Sequence, residues 1–406
     1  MSSSSISEML LTDCKKEVYC RLFQKQAILD REKAWDPLMM KLEEIAKEKN
    51  KGKRAVAGTD HRQIYRNPYM VLFPYDSNRV KLEKWPSNEY GYINASHVVF
   101  PEVNRKYIMT GSPVQTELGD FWEMAASQKS PAIVMLAHGN DHPMTCTNDY
   151  FPKETGDEIR YGDYFVENVG LIETELYVRR TLLVKKGDVA HTVSHFQFLA
   201  WNEPTSPSGF DDFLKFLTLT KESTVFAPYT APTWFAKIMN KEAPSGAPII
   251  QCAAGVNRSG AFIIIDVIIR MLQMGVNDYY SIEHLIMKLQ SQRLYGVCSV
   301  EMLKFIYECV RHWIVQYHPD MKEVDFLLQE HAGTFGPIQD LKKYLDPKHW
   351  LPKQEEREEF LRKNEHRVKR KSVHLLKHDK VPPRKEDTYA NMLFTKNNTA
   401  RRLRYN

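Results

Sequence analysis

The sequence predicts an α/β fold: one large domain in which short strands and amphipathic helices share a core, followed by a C-terminal extension. Three observations predict it. Short β-rich runs alternate with turns between residues 65 and 200. An apolar run, Pro248-Ile-Ile-Gln251, leads through a glycine-containing loop into the apolar stretch Ser259–Met274. Helical periodicity brackets both, before residue 50 and after residue 280.

The elements follow in chain order. Residues 1–14 are Ser-rich and are expected to be disordered. From Lys15 to Lys49, Leu22, Ile28, Leu29, Trp35, Leu38, Met39, Leu42 and Ile45 recur at helical spacing with charges between them, so residues 15–55 are assigned to N-terminal helices. Strands are expected at Val98–Phe100, Tyr107–Thr110, Ala132–Leu136, Leu176–Leu183 and His195–Leu199, with helices at Pro113–Gln128 and Asp211–Leu219. After the glycine loop and its helix come Ser281–Gln290 and Val300–Tyr317, which closes the domain (15–318). The extension, 319–406, holds helical pieces at Lys322–Glu330, Ile338–Leu345 and Lys353–Lys371. From Lys377 onward it is polar, basic and interrupted by Pro382-Pro383, the composition of a largely disordered tail.

Charge is unevenly spread. The net formal charge is +5, yet residues 352–406 hold 16 Lys/Arg against 8 Asp/Glu, which leaves the body slightly acidic. The cluster Arg367-Val-Lys369-Arg370-Lys371 has the character of a nuclear-import signal or of a solvated helix face. No aromatics interleave with it, so nucleic-acid binding is not expected. Six irregularly spaced cysteines form neither a disulfide framework nor paired metal knuckles. The histidines show no metal-ligand pattern, and no cofactor is called for. The first residues lack a basic and an apolar signal region, and Gly260–Met274 is too short and too charged to span a bilayer. A cytoplasmic protein without stable membrane insertion is the resulting expectation.

Chemistry is concentrated in Cys252-Ala-Ala-Gly-Val-Asn-Arg258-Ser259-Gly260. A strand ends at Gln251 and a helix starts near Ser259, so the residues between must bend tightly. Small residues at Ala253, Ala254 and Gly255 allow successive N–H groups to converge as an anion nest. The helix N-terminus adds positive potential, and Arg258 supplies a planar fork for phosphate. Such surroundings favour a cysteine thiolate, which is a nucleophile. The same donors stabilise the equatorial oxygens of a phosphoryl group in transfer.

This loop resembles the signature of the large, tyrosine-specific class of protein tyrosine phosphatases. Further segments resemble that family in its order: Arg66-Asn67-Pro68-Tyr69, Pro74-Tyr75-Asp76-Ser77-Asn78-Arg79-Val80, Tyr92-Ile93-Asn94-Ala95-Ser96, Tyr107-Ile108-Met109-Thr110, Phe121-Trp122-Glu123-Met124, Ile133-Val134-Met135-Leu136 and Tyr150-Phe151-Pro152. The resemblance covers residues 66–260 and implies a twisted mixed β-sheet flanked by helices. It also implies that Cys252 is the nucleophile, Arg258 the phosphate clamp and Ser259 the hydroxyl that helps the thiolate leave. The backbone of Ala253, Ala254, Gly255, Val256, Asn257 and Gly260 would bind phosphate, Tyr69 would set pocket depth, and Asp141 would orient the arginine.

Several positions depart from the family pattern. The acid loop, Trp-Pro-Asp in the family, reads Trp201-Asn202-Glu203. The histidine before the nucleophile is Gln251, the glutamine that positions water falls at Cys298, and the carboxylate or amide that grips the substrate backbone falls at Val71. Glu203 remains an acid with altered reach, and a misplacement of about 1 Å can cost on the order of 10²-fold. Cys298 cannot orient water as an amide does. Its place also admits a reversible disulfide with Cys252, though a small buried replacement is the simpler reading. Two functions follow. One is a slow tyrosine phosphatase working through a phosphocysteine; the other is a pseudophosphatase that holds phosphotyrosine proteins or a partner kinase.

Overall fold

The structure, a computed structural model, describes residues 14–86, 88–137, 145, 147, 149–201, 207, 209–222, 246–274 and 281–330, with side chains placed for all of these except 14–17, 327, 328 and 330. The predicted pieces Ile338–Leu345 and Lys353–Lys371, the basic cluster and the expected disordered ends lie outside the described residues.

Two helices begin the fold, α1 (Cys14–Arg31) and α2 (Trp35–Lys49). The sequence reads as one continuous pattern here, but Lys33 takes a left-handed φ of 51° and Ala34 N–H returns to Leu29 O at 2.9 Å. That closure ends α1 and redirects the chain. Helices α3 (Leu118–Ser127), α4 (Phe210–Glu222), α5 (Arg258–Met274), α6 (Ile282–Gln290), α7 (Val300–Tyr317) and α8 (Met321–Glu330) follow. Ser281 and Ser299 cap α6 and α7, each accepting an N–H from the first turn, from His284 at 3.1 Å and Met302 at 3.3 Å. α8 packs on α1, its Met321 is buried in the main core, and Asp325 pairs with Arg311 of α7 at 2.9 Å.

The strands are β1 (Arg79–Lys81), β2 (Tyr92–Phe100), β3 (Arg105–Gly111), β4 (Ala132–Met135), β5 (Glu158–Tyr161), β6 (Tyr164–Glu173), β7 (Tyr177–Lys186), β8 (Val189–Phe198) and β9 (Ile249–Cys252). They form one sheet in the order β1-β2-β3-β9-β4-β8-β7-β6-β5. Its centre, β3-β9-β4-β8, is parallel, and both flanks are antiparallel. The mixed sheet flanked by helices is therefore present. Three strands were not anticipated. β5, at the sheet edge, buries only Tyr161, β6 alternates only as far as Asn168 before running on half-buried, and β1 is only three residues long.

Strand alternation divides the core in two. In β4, Ala132, Val134 and Leu136 meet the helices α1, α2 and α4–α8, whereas Ile133, Met135 and Ala137 meet α3 and the β5–β7 ribbon. In β9, Ile250 and Cys252 face the first layer and Ile249 the second. Helix α5 is buried on every side except at Gln273, which suits a helix threaded between the sheet and α7.

A fully buried carboxylate ties this helix to the sheet. Asp266 of α5 accepts from Tyr107 Oη of β3 at 2.6 Å and pairs with Lys221 Nζ of α4 at 2.6 Å and Arg105 Nε at 3.5 Å. Removing its charge would leave buried cations uncompensated. Asp266→Asn is expected to lower stability by roughly 3–5 kcal/mol in urea unfolding. A loss under about 1 kcal/mol would show that the network does not tie α5 to the sheet.

Candidate active site

The central strand β9 delivers Cys252 to the carboxyl end of the parallel strands, where open α/β sheets hold ligands. Gly111 of β3 stands opposite Cys252, and Ser112 N–H continues the ladder to Ala253 O at 3.0 Å. The chain then turns through Ala253–Asn257 and enters α5, whose first residue is Arg258. Two glycines make the turn fit. Gly255 has φ +67°, and a Cβ there would lie 2.4 Å from Gly111 N; a Cβ on Gly260 would lie 1.9 Å from Gly296 O. Larger residues at either place would force the backbone apart.

A buried cation orients the loop from behind. Arg293 is 1 % exposed; its Nε donates to Gly255 O at 3.2 Å, its Nη2 to Ala254 O at 3.5 Å and its Nη1 to Ser96 Oγ at 3.4 Å. With those carbonyls drawn outward, the planar peptides turn the N–H groups of Gly255 and Val256 the other way. The turn carrying Arg293 is itself tied to β2: Asn78 Nδ2 bridges Gln292 O at 2.8 Å and His97 O at 2.7 Å, and Gln292 Oε1 accepts Val99 N–H at 2.7 Å. Burial lowers the Arg293 pKa to about 10 against the opposing pull of Tyr92 and Cys252. Sequence reading missed this residue, because a lone arginine in a loop carries no signal until the loop it touches is known.

Inside the loop, Cys252 Sγ is buried and donates to Val256 O at 2.9 Å. Arg258 is 1 % exposed, and its Nη1 donates to Leu136 O at 2.7 Å, at the end of β4. Ser259 is fully buried, and its Oγ has no hydrogen-bond partner among the described residues. Asn257 adopts φ +55°; its N–H donates to Gly296 O at 2.8 Å, and its Oδ1 accepts Cys298 N–H at 2.8 Å. Cys298 is thus brought to the same loop, with a free thiol that burial pushes up to about 11.

Beside the loop a pocket is lined by Tyr69, Arg66, Asn94, Ser112, Glu117 and the outer side of Ala253-Ala254. Arg66 Nη1 donates to Glu117 at 3.3 Å and also to Asp120. Burial still raises the Glu117 pKa to about 8, outweighing the pull of Arg66. Val71 is 70 % exposed.

Gln251, one residue before the cysteine, points to the opposite face. Its Oε1 accepts from Tyr150 Oη at 2.6 Å, and its Nε2 donates to Ser112 Oγ at 2.9 Å. Tyr150 Oη also meets His195 Nε2 at 2.8 Å. Since the tyrosine proton is given to Gln251, His195 must carry its proton on Nε2. The ring is buried, and desolvation, followed by the nearby Arg180 charge, holds it well below the usual histidine value. His195 is thus a buried core residue with a fixed tautomer.

Cys252, Arg258, Ser259 and Cys298 therefore meet at one loop, and Tyr69 lines the adjoining pocket. Trp201 is 1 % exposed, its ring 5.2 Å from that of Phe305 and 5.4 Å from that of Phe213, so the start of the expected acid loop is anchored in the core. Glu203 and Asp141 lie outside the described residues.

The protein-tyrosine phosphatase family model matches residues 63–312. A tyrosine-protein phosphatase non-receptor type eak-6 from Caenorhabditis elegans is 31 % identical over 369 residues, covering 88 % of this chain and 90 % of that protein. Protein sdf-9 of the same organism is 32 % identical over 309 residues, 74 % of this chain and 89 % of that one. Tyrosine-protein phosphatase non-receptor type 2 of Mus musculus is 28 % identical over 293 residues, 70 % of this chain and 64 % of that protein. Among the described residues no helix is long and apolar enough to cross a membrane.

His195 gives the site a pH signature. An unfolded histidine titrates near 6.5, whereas the folded ring resists protonation. Below that pH the unfolded state binds the extra proton, so stability falls as pH drops through about 6.5. Urea unfolding at about pH 7.5 and about pH 5.5 should show this group costing about 1.4 kcal/mol at the lower pH. His195→Gln should lose correspondingly less between the two conditions; an unchanged difference would refute the assignment.

Proposed function

The chain belongs to the protein-tyrosine phosphatase family, and we propose that it binds phosphotyrosine at the Cys252 loop and hydrolyses it slowly through a phosphocysteine intermediate. One observation carries this reading: Cys252 and Arg258 share a loop, at the end of the central parallel strand, whose Ala254 and Gly255 carbonyls are drawn away by Arg293. That turns the N–H groups of Gly255 and Val256, two of the donors an oxyanion needs, to the inner side of the loop.

In the proposed first step the Cys252 thiolate attacks phosphorus while Arg258 and inward N–H groups neutralise the equatorial oxygens. The tyrosine oxygen leaves with a proton supplied by Glu203 on the loop that Trp201 anchors. Tyr69 forms the wall that lets a long phosphotyrosine reach the sulfur. Ser259 assists departure of the thiolate when water cleaves the S–P bond, and Asp141 orients Arg258. Gln251 acts indirectly, by fixing the end of β9 through Tyr150 and Ser112.

The second step is the slow one. Cys298 stands where water has to be held, and its thiol stays protonated at neutral pH because burial raises it to about 11. A thiol offers one weak donor where an amide offers two strong ones and an acceptor. This same residue favours the second reading, a pseudophosphatase that retains phosphotyrosine proteins or a kinase without useful turnover. Val71 adds to it, since a valine cannot grip the substrate backbone. A cytoplasmic site of action fits either reading, and the 15–318 unit is proposed as the functional domain.

Turnover of p-nitrophenyl phosphate by the full chain decides between them. Slow steady hydrolysis is expected, abolished in Cys252→Ser, with a burst of one equivalent ahead of the steady phase. Cys298→Gln should raise the steady rate at least about tenfold without enlarging the burst. If no turnover occurs while Arg258-dependent phosphopeptide binding persists, the enzyme reading fails and the binding module stands.

A further inference from the structure

A phosphate cradle requires consecutive N–H groups to face inward, and one peptide of this loop faces the wrong way. The Val256 carbonyl oxygen lies 2.9 Å from Cys252 Sγ, which donates to it. The N–H on the other side of that peptide, Asn257 N–H, points outward and donates to Gly296 O at 2.8 Å. A trans peptide is planar with its C=O and N–H antiparallel, so one cannot turn inward unless the other turns out. The preceding unit differs: Gly255 O faces Arg293, which leaves Val256 N–H on the inner side. The reversal is confined to the Val256–Asn257 peptide.

Asn257 holds it there. Its φ of +55° is a conformation that asparagine, almost alone among residues with a Cβ, adopts at small cost. Its side-chain Oδ1 accepts Cys298 N–H at 2.8 Å, and its carbonyl oxygen accepts Ala261 N–H at 2.7 Å in the first turn of α5. The residue is thereby fastened to the turn preceding α7 on one side and to α5 on the other. An anion entering the loop meets the Val256 carbonyl dipole end-on, which is repulsive in a site with little water.

We propose that Asn257 is a positioning residue that latches the loop in an anion-rejecting state, and that oxyanion binding requires the Val256–Asn257 peptide to turn over. This rests on the reading of the loop as an oxyanion site. In the latched state Cys252 is a thiol hydrogen-bonded to its own loop; in the turned state Asn257 N–H joins the cradle and Gly296 O is released. Apparent affinity for any oxyanion is then the intrinsic affinity reduced by the fraction of turned loops. Weakening the latch raises that fraction without touching the phosphate-binding groups.

The full chain should be titrated with inorganic tungstate by calorimetry, as wild type, Asn257→Gly, Asn257→Ala and Arg258→Met. Glycine removes the clasp on Cys298 and accepts both peptide orientations; alanine removes the clasp and disfavours the latched φ. Both should bind tungstate about tenfold more tightly than wild type, the effect expected if a latched majority is released. Mass-spectrometric rates of Cys252 alkylation by iodoacetamide should rise in both. A merely structural asparagine would give the reverse, weaker binding in both variants. Equal or weaker tungstate binding in both, with wild type binding and Arg258→Met not, overturns the latch and leaves the site reading intact. Absence of binding in wild type and in both Asn257 variants overturns the site reading itself. Should neither variant fold, a crystal structure of wild type with tungstate still decides: the latch is wrong if an oxyanion occupies the loop with Val256 O still against Sγ.

Discussion

The site depends on which way the loop's backbone carbonyls point, and a buried guanidinium turns two of them away from the sulfur while Val256 O stays against it. Left alone, a tight turn between strand and helix scatters its carbonyls in both directions. Arg293 collects two of them on the side away from Cys252, and its third described partner is the Ser96 hydroxyl. All of these are neutral oxygens. A buried cation paired only with dipoles remains poorly compensated, which is why burial draws its pKa down to about 10, still far above neutrality. The charge therefore persists, and its field reaches the loop from behind. An anion in the cradle would supply the missing compensation, so the clamp that shapes the loop also favours what the loop is shaped to hold.

The sheet makes this geometry reproducible. β9 is bracketed by parallel neighbours on both sides, so its carboxyl end has no freedom to shift without breaking two ladders. Alternation then gives its last two residues separate tasks. Cys252 faces the helical layer, where α5 begins; Gln251 faces α3 and joins Ser112, Tyr150 and His195. A substitution at Gln251 acts on the site through the strand's position and not through contact with the sulfur. The histidine that the family carries there is replaced by an amide whose donor and acceptor are both engaged, which is a structurally complete arrangement and not a gap.

Much of this was legible in the sequence because it follows from short-range rules. The apolar run into Cys252, the small residues of the turn and the helical periodicity of α6 and α7 are local statements about backbone and burial. The break between α1 and α2 was not legible, since Lys33 is an unremarkable residue forced into a left-handed conformation by the packing on either side. Strands β5 and β6 escaped because β5 buries only Tyr161 and the alternation of β6 lapses after Asn168 into half-buried residues. Arg293 and the Val256 carbonyl escaped for a deeper reason. Which way a peptide points inside a loop is decided by partners some forty residues away, and residue type constrains it only weakly. The Asn257 side chain is the exception: a non-glycine residue tolerant of positive φ, followed by Arg258, carried a hint of unusual backbone that sequence reading assigned simply to phosphate contact.

Magnitudes indicate which departure limits the chemistry. Turning one latched peptide over costs at most a few hydrogen bonds that are remade on the other side, a net of about 1–2 kcal/mol, or a factor of roughly 5–30 in competent population. A glutamate in place of the usual acid keeps the proton but alters reach, which on the scale of about 1 Å is worth on the order of 10². On the proposed mechanism, a thiol in place of a water-positioning amide leaves one weak donor where two strong ones and an acceptor would hold the water. The first two effects fall on formation of the phosphocysteine and the third on its hydrolysis. Cys252 and Arg258, which would carry the largest contributions on that reading, are both present. On the proposed function, such a protein would form the phosphocysteine faster than water cleaves it, so the intermediate, more than the free enzyme, is the form that would accumulate wherever phosphotyrosine is abundant.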